Sequence, residues 1–536
     1  MSKVVERAAA EQLHKYLADK LLPCNQSAYC RYHSTETALL RVWSDILMAA
    51  DVGQVTLLGL VDLSAAFDCV DHSVLLQRLQ ISFGLKGTVL NWICSFLSDR
   101  TQQIAYLGQL SDVQPVLYGV PQGSVIGPLL CVLYTAELHL LVKQHSVSMH
   151  QYARDCQFYL CTLVSQAAAA VTKLYECLTD IHDWLSRIRL RLNPSKMQAM
   201  WLGSGQQLDK IDIREISIML TRVSVEHTVR DLGVIFDSRL SMANHVAAVC
   251  RSGYYQLRQL RPVVRSVSAD GAKAVHAFIS CRLDYCNSLF TGVTDCLLRR
   301  LQSLQNVAAR RVTGAPRRER ITPILRQLHW LPVRQCVQYK LAILAFRSLS
   351  GQAPAYLTDD WQLVAESGRR SLRSAEWSVC VIQRCNTFGN RSFAVADPRA
   401  WNDLPVTIRN TDLIMDTFCK HLKTVLFTDS WGRSAFVTLW YYHAIYKCPY
   451  LLTYFLTYSG PRPCRCETWS LTASVRRRLS GSYKRASWRC QSCSRSAPNM
   501  PSWRRGQSSL FESGKNTGHV SGLSISTIQT WHSPRT

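Results

Sequence analysis

The stretch His150–Leu160, HQYARDCQFYL, decides the fold that this chain is expected to adopt. Met149–Arg154 and Gln157–Cys161 are predicted as two short strands around a tight turn, since apolar runs on both sides of a turn signal are typical of a β-hairpin. Asp155 lies in this turn. The pattern therefore predicts a hairpin that presents an acidic side chain at its tip.

A second stretch supplies a partner for that acid. Val55–Leu63 is a short apolar run rich in Val and Leu, which predicts a buried strand with Asp62 near its end. Mg²⁺ prefers oxygen ligands, so carboxylates from a strand end and from a facing hairpin can converge on it. Asp62 and Asp155 are therefore candidate ligands for a divalent cation.

The remaining patterns indicate an α+β fold. Helices are predicted at several places, including Pro128–Val142, and further strands include Asp231–Phe236. The order of strands and helices up to residue 244 suits an antiparallel sheet with helices on one face. His245 to about Ser350 is helical and basic in pattern, Gly368–Asn410 has no clear pattern, and the Ser-, Arg- and Pro-rich end is expected to be disordered.

The charge of the chain favours a polyanionic partner. Lys and Arg number 62 against 37 Asp and Glu, a formal net charge of +25. Such an excess favours nucleic acid because basic side chains displace counterions from phosphates; the alternative is a basic protein without such a partner. The 21 cysteines are scattered and no signal peptide opens the chain, which predicts a reducing compartment, here nucleus and cytoplasm.

Two segments near the end of the chain have compositions that suggest other roles. Ala435–Tyr458 is apolar enough to consider for a membrane, but His443 and Lys447 are costly inside a bilayer, so no membrane association is predicted. The cysteines of Cys464–Cys493 could make a zinc site by spacing alone. Their first pair is irregular, which disfavours that alternative.

Six ordered motifs resemble the reverse transcriptase of LINE-type (non-LTR) retrotransposons, close to jockey-like mobile elements. The resemblance extends from about Met1 to Phe427. The matching stretches are a fingers motif QSAYCRYHSTETALLRV (Gln26–Val42), motif A LVDLSAAFDCVDH (Leu60–His72), motif B GVPQGSVIGPLL (Gly119–Leu130), motif C in HQYARDCQFYL, motif D LRLNPSKMQAMWLG (Leu190–Gly203) and motif E RDLGVIFDSRLSM (Arg230–Met242).

The resemblance implies a right-hand polymerase fold in consecutive parts. It implies partial fingers at 1–50 and a palm with motifs A to E at 51–244. A helical thumb-like region at 245–350, a C-terminal retroelement region at 351–427 and a low-order basic tail at 428–536 follow. Met1 matches a position inside the family's fingers, so the chain is expected to lack part of that region.

The resemblance also assigns roles to single residues. Asp62 and Asp155 match metal ligands, and Lys196 matches a catalytic lysine near the leaving pyrophosphate. The implied nucleotide contacts are Phe67, Gln122, Gly123 and Ser124, with Arg31 as a further candidate. Alternatives without a catalytic or binding role stay open: a core aromatic for Phe67, a β-turn for the motif B residues and a solvated side chain for Lys196. Asp68 and Asp71 are expected to make structural hydrogen bonds or caps.

Two departures from the family pattern bear on activity. Arg154 stands where motif C normally has a metal-binding aspartate, which exchanges an attraction for a repulsion beside a dication. Each such unit-charge pair is worth about 4 kcal/mol at ~4 Å and an effective dielectric constant near 20. Cys30 stands where the fingers motif usually has Arg. Arg31 is adjacent, but neighbouring side chains of a strand point to opposite faces.

The sequence therefore leaves more than one function open. The first is RNA-directed DNA polymerisation with two Mg²⁺ or Mn²⁺ ions, an RNA template, a DNA primer and dNTPs. The second is a catalytically inactive, nucleic-acid-binding remnant, because Arg154 replaces a metal ligand; the departures predict an impaired or inactive enzyme. A third, an interaction protein that uses only the basic C-terminal half, has no specific support. The oligomeric state is left open.

Overall fold

A computed structural model describes residues 2–18, 22–64, 66–106, 108–218, 221–264, 269–364, 378–409 and 412–431. The apolar segment Ala435–Tyr458 and the cysteines of Cys464–Cys493 lie outside the described residues. So does the predicted tail, except for residues 428–431, which continue a helix that runs to Trp431. Within the described residues, no helix is both long and apolar enough to span a bilayer.

The described residues form sixteen helices and thirteen strands. The helices are α1 Ser2–Ala18, α2 Thr35–Asp51, α3 His72–Ile81, α4 Thr88–Leu97, α5 Gly127–Tyr134, α6 Leu138–Gln144, α7 Ala167–Arg187, α8 Gly205–Leu208, α9 Ala243–Val264, α10 Ala269–Asp284, α11 Asp295–Thr313, α12 Ile321–Gln327, α13 Val333–Leu349, α14 Ala355–Thr358, α15 Phe393–Asn402 and α16 Met415–Trp431. The strands are β1 Val55–Ser64, β2 Thr101–Gln102, β3 Ala105–Tyr106, β4 Gln109–Leu110, β5 Gln114–Pro115, β6 Ser148–Tyr152, β7 Asp155–Thr162, β8 Arg191–Leu192, β9 Gln198–Leu202, β10 Glu215–Ile218, β11 Thr221–Ser224, β12 Thr228–Asp231 and β13 Val234–Asp237.

The central sheet is antiparallel, as the sequence predicts. Its order is β6-β7-β1-β8, and β9 also pairs with β1. Strand β1 lies in the middle and is buried along nearly its whole length, because its run VTLLGLV carries apolar residues at both odd and even positions. The hairpin β6–β7 occupies one edge, so the predicted motif C hairpin is part of the same sheet as Asp62.

Helices cover both faces of this sheet, which corrects the expectation of helices on one face only. Leu57 and Val61 of β1 belong to a core cluster with residues of α3, α5 and α7. Leu58 and Leu60, on the opposite face, pack in a second cluster with α2 and α9–α13. Strand β1 does not alternate apolar and polar residues. Both of its faces are therefore apolar and must be buried against helices.

Two predicted elements are divided in the structure. The helix predicted at Pro128–Val142 is two helices, α5 and α6. Between them the Thr135 hydroxyl donates to the carbonyls of Cys131 and Val132, and this local bonding competes with helix continuation. The strand predicted at Asp231–Phe236 is the hairpin β12–β13. Its turn places Leu232 and Gly233 at φ +41° and +89°, a conformation that ends a strand.

Helix α2 joins the sheet to the downstream helices. Ser34 caps its start by accepting from the Thr37 N–H. Trp43 stacks on Phe236 of β13 with ring centroids 4.8 Å apart. At its end, the Asp51 carboxylate accepts backbone N–H groups from Asn386 and Gly389, 2.8 and 2.9 Å away. Residues up to 393 therefore share a core with the palm-like sheet.

The downstream region is helical where the sequence predicts helices, through α9–α13. It also contains α15, inside the stretch Gly368–Asn410 for which no pattern was recognised. The internal Pro398 and the small residues around it hide the helical signal of α15. Ile104–Ser111 forms a compact hairpin of its own, β3–β4, closed by a hydrogen bond from the Ser111 N–H to the Ile104 carbonyl.

Candidate active site

Asp62 and Asp155 face each other across the sheet. In the β1–β7 ladder the two residues are direct partners. Side chains of directly opposed residues in an antiparallel pair lie on the same face with Cβ atoms about 4.5–5.5 Å apart. The structure therefore brings the two sequence-predicted metal ligands together, from elements 93 positions apart in the chain.

Buried side chains hold the turn that precedes Asp155. Its residues are Ala153 and Arg154, and Ala153 adopts φ +56°, as a two-residue hairpin turn requires. The Gln26 Oε1 atom accepts the Ala153 N–H, and the Gln151 side-chain amide donates to the Ala153 carbonyl. Both glutamines are buried, so the turn has a fixed base. The hairpin was predicted correctly, but Arg154 lies in the turn rather than in the first strand.

Arg154 lies beside the carboxylate of Asp62. Its Nε atom is 3.5 Å from Asp62 Oδ1, and its side chain is 39% exposed against 13% for Asp62. The Arg154 carbonyl accepts the Leu63 N–H at 3.1 Å, so the backbone of the turn is bonded to the end of β1. The guanidinium thus has a fixed base and a partly solvated end, directly at the predicted metal site.

Lys196 contacts the other oxygen of Asp62. Its Nζ atom is 2.6 Å from Asp62 Oδ2. The position of Lys196 follows from the backbone: the Asp62 carbonyl accepts the Asn193 N–H, and the Asn193 carbonyl accepts the Lys196 N–H. Lys196 ends a short 3₁₀ turn rather than starting a strand. The ion pair with Asp62 gives Lys196 a partner at the site, although its side chain remains half exposed, and its catalytic role stays a prediction.

The acidity of Asp155 reflects its surroundings. Withdrawal of the carboxyl group from water raises the pKa of Asp155, and the nearby Asp62 carboxylate raises it further. Arg154 and Lys196 act in the opposite direction and lower the pKa of Asp155. The two carboxylates thus repel each other, and this repulsion favours any cation placed between them.

The donor set suits one divalent ion. Asp62 Oδ1 is buried and accepts no hydrogen bond, and the Arg154 Nε atom lies 3.5 Å from it. Mg²⁺ is commonly held by one or two carboxylates together with substrate phosphates, so Asp62 and Asp155 fit such an ion. Among the described residues there is no cluster of three or more His, Cys, Asp or Glu side chains for a metal.

The motif A and motif B loops lie against each other. The Gln122 side-chain amide donates to Asp68 Oδ1 at 2.7 Å, and the Val120 N–H donates to the Phe67 carbonyl. Gly119 allows this approach, because a Cβ atom there would lie 2.8 Å from the Phe67 carbonyl oxygen. Phe67 is partly buried and borders a cleft that Arg154 also lines.

The other motif B residues and Asp71 serve local structure. Ser124 donates to the Pro121 carbonyl and accepts the Gly127 N–H, so it closes the turn that precedes α5, while Gly123 is exposed at φ +82°. Asp71 is the N-cap of α3 and accepts from the Ser73 and Val74 N–H groups. The predicted capping role of Asp71 is confirmed.

Cys30 and Arg31 lie in a turn, not in a strand, so the argument from opposite strand faces does not apply. The Cys30 thiol donates to the carbonyls of Gln26 and Ala28, and burial raises the pKa of the Cys30 thiol to about 11. The Arg31 guanidinium lies over the Tyr32 ring, 4.8 Å from its centroid. The structure gives Arg31 no contact with Asp62 or Asp155.

Sequence reasoning missed a buried polar layer behind the hairpin. The Ser27 hydroxyl is 2.8 Å from both His150 Nε2 and the Tyr356 hydroxyl. His150 pairs across the hairpin with Gln157, whose side-chain amide donates to Asp231 Oδ1 at 2.8 Å. These residues are all buried and come from distant parts of the chain, so no local pattern could have revealed them.

Comparison with known proteins agrees with this geometry. Residues 1–236 match the family described as reverse transcriptase (RNA-dependent DNA polymerase). The chain is 27% identical over 347 residues to the probable RNA-directed DNA polymerase from transposon BS of Drosophila melanogaster, covering 61% of this chain and 37% of that protein. It is 23% identical over 338 residues to the RNA-directed DNA polymerase from mobile element jockey of the same species, covering 61% and 36%.

Among solved structures, the telomerase of Candida albicans in complex with a fragment of telomeric RNA is similar, with a TM-score of 0.30 and 12% identity. That comparison covers 63% of this chain and 56% of the telomerase chain. This chain spans little more than a third of the two Drosophila relatives. Through residues 1–236, the chain is similar to reverse transcriptases, and the two Drosophila relatives are RNA-directed DNA polymerases from transposon BS and mobile element jockey.

Proposed function

We propose that this chain is an RNA-directed DNA polymerase, which adds dNTPs to a DNA primer on an RNA template. The observation that carries this proposal is the direct pairing of Asp62 with Asp155 between β1 and the β6–β7 hairpin. Two carboxylates on facing strands are the arrangement that nucleotidyl transfer requires. The family uses divalent metal ions, and two bound ions here are part of the proposal.

We further propose a role for each residue near this pair. Asp62 and Asp155 hold Mg²⁺ or Mn²⁺, which supplies Lewis acidity at the phosphate and lowers the pKa of the attacking hydroxyl. Lys196, on Asp62 Oδ2, orients that carboxylate and lies ready to neutralise a leaving pyrophosphate. Phe67 packs against the sugar of the nucleotide. Gln122, Gly123 and Ser124 position the loop next to it.

The helical region provides the template contact in this proposal. Along α11, Arg299, Arg300, Arg310 and Arg311 lie outside the buried face formed by Leu301 and Leu304. Basic side chains on one helix suit a sugar–phosphate backbone. We assign residues 1–50 to fingers, 51–244 to palm, 245–350 to thumb and 351–427 to a C-terminal retroelement region on this basis.

Primer extension tests the polymerase directly. The full chain is incubated with a primed RNA template, dNTPs and Mg²⁺ or Mn²⁺, and the extended primer is quantified. We expect slow extension, because Arg154 adds a repulsion of about 4 kcal/mol per unit-charge pair before solvation reduces it. Arg154→Asp is expected to raise the rate, and Asp62→Asn to lower it at least about 100-fold, since a metal ligand is lost.

The matched control is Asp212→Asn, which alters an exposed acid that takes no part in this site. Extension that Asp62→Asn leaves unchanged would refute the site assignment. If neither the parent chain nor Arg154→Asp extends a primer, the polymerase proposal fails. The inactive-remnant alternative predicts retained RNA binding in that case, but the comparisons do not favour it over the polymerase.

A further inference from the structure

The Arg154 side chain has more hydrogen-bond donors than its contact with Asp62 uses. A guanidinium carries five N–H groups, and the contact with Asp62 engages the side of Nε, at 3.5 Å. No other hydrogen bond of this guanidinium is found among the described residues, and its side chain is 39% exposed. The terminal nitrogens of Arg154 are therefore available to a ligand that enters from solvent.

The charge at the site already balances without a metal. Asp62 and Asp155 contribute two negative charges, and Arg154 and Lys196 contribute two positive charges. With an aspartate at 154 the same set would carry a net charge of −2. The present set, with no net charge, attracts a dication less strongly than the set with an aspartate at 154 would. It also tolerates a polyanion, which three carboxylates would repel.

Two aromatic side chains border the same crevice as Arg154. Its lining includes Tyr29, Phe67, Ala153 and Arg154. An aromatic ring can contact a base or sugar, and a guanidinium suits the phosphates, which arginine binds by charge-assisted pairs of hydrogen bonds. Lys196, on the far oxygen of Asp62, adds a second cation for the same polyanion.

We infer that Arg154 is a resident counter-ion that binds the triphosphate of an incoming nucleotide directly, so that nucleotide binding at this site is independent of a divalent metal. The inference rests on the proposed function for the identity of the ligand. It concerns binding alone: transfer of the nucleotide onto a primer still depends on the carboxylates and a metal.

Equilibrium binding of dATP to the full chain tests this inference. Isothermal titration calorimetry is run with excess EDTA and with excess Mg²⁺. For the parent chain the two dissociation constants are expected to differ by less than about threefold. For Arg154→Asp we expect dATP binding at least about tenfold weaker in EDTA, and recovered in Mg²⁺. Arg154→Lys, which keeps the charge, is expected to remain metal-independent.

The matched control is Arg258→Asp, the same change at an exposed position of α9, which is expected to bind dATP like the parent chain. Thermal melts establish that each variant is folded, and Arg154→Ala replaces Arg154→Asp if the latter is not. Inorganic triphosphate in place of dATP separates the phosphate contact from the aromatic contact and is expected to bind in EDTA as well.

Parent chain that binds dATP at least about tenfold more tightly in Mg²⁺ than in EDTA overturns the inference, and so does an absence of binding in both. Failure of the polymerase proposal is a separate result. It appears as absent primer extension, while metal-independent dATP binding persists and is abolished by Arg154→Asp.

Discussion

The two ends of the β6–β7 hairpin differ in how their polar groups are satisfied. At the turn, Asp62, Asp155, Arg154 and Lys196 share a partly solvated site, and the Arg154 contact is long. Three residues behind the turn, His150 is fully buried and bonded to Ser27. The charged groups of the candidate site therefore lie at the partly solvated turn. The buried hydrogen bonds behind the turn fix the position of the hairpin.

Substitution of Asp231 is expected to have the largest effect on the free energy of unfolding, because Asp231 is the acid in the buried polar layer. Burial raises the pKa of Asp231 to about 7 from the ordinary value of 3.8. The folded state then holds a proton that the unfolded state releases, so stability falls as pH rises from about 4 and the full penalty applies above about 7. Asp231→Asn is expected to raise the free energy of unfolding by up to about 4 kcal/mol near pH 8.

Urea denaturation near pH 8, 6 and 4 measures this change, and the gain of Asp231→Asn should shrink steadily toward acid pH. Asp212→Asn serves as the control, since Asp212 is exposed and its substitution should stay within about 0.5 kcal/mol at every pH. A gain from Asp231→Asn that is equal at all three pH values would contradict the burial of a titrating acid in this layer.

His150→Ala is expected to have the next largest effect. Burial lowers the pKa of His150 to about 3, so the ring is neutral at pH 7 and its loss removes packing and a hydrogen bond rather than a charge. We expect a decrease of about 3 kcal/mol in the free energy of unfolding. His227→Ala, at an exposed position, is the matched control. A loss below about 0.5 kcal/mol would show that the layer does not hold the hairpin.

Tyr356→Phe removes a single hydroxyl from the same layer. That hydroxyl is 2.8 Å from the Ser27 hydroxyl and 3.3 Å from the Thr37 hydroxyl. The expected loss of stability is about 1–1.5 kcal/mol, the value of a buried hydrogen bond. Tyr255→Phe on α9, where the side chain is exposed, should change nothing measurable. Equal losses for the two variants would mean that the Tyr356 hydroxyl is not engaged.

Arg154→Ala completes the comparison with the smallest expected effect on stability. A half-exposed ion pair with a 3.5 Å separation is worth no more than about 0.5 kcal/mol. The thermal midpoint should therefore stay close to that of the parent chain, even though weaker nucleotide binding in EDTA is expected. A loss above about 1.5 kcal/mol would show that Arg154 is part of the framework, like His150.

The sequence predicted those parts of the molecule that depend on local signals. The apolar run of β1, the hairpin at motif C and the helical pattern after His245 are all found in the structure, because each is encoded within a few residues. The pairing of Asp62 with Asp155 also follows from strand order, since neighbouring antiparallel strands bring such ends together.

Other features depend on contacts that no local pattern contains. The turn at Leu232 and Gly233 divides the stretch Asp231–Phe236, which is predicted as one strand, and the paired strands reveal it. Most of the helices that cover the second face of the sheet come from residues far downstream in the chain. The buried layer joins Ser27 to Tyr356 across 329 positions, and each of its members reads in sequence as an ordinary polar residue. Family resemblance names the chemistry but does not reveal this support.

Helix α2 has a practical consequence for anyone who divides the chain. The family match ends at residue 236, yet the apolar side of α2 packs in one cluster with Leu301, Leu341 and Phe393. A recombinant fragment cut at 236 would expose that side to water and invite aggregation. Since Phe418 and Phe427 share a core with Phe346, the smallest soluble fragment should extend to at least residue 427, well beyond the boundary that homology alone suggests.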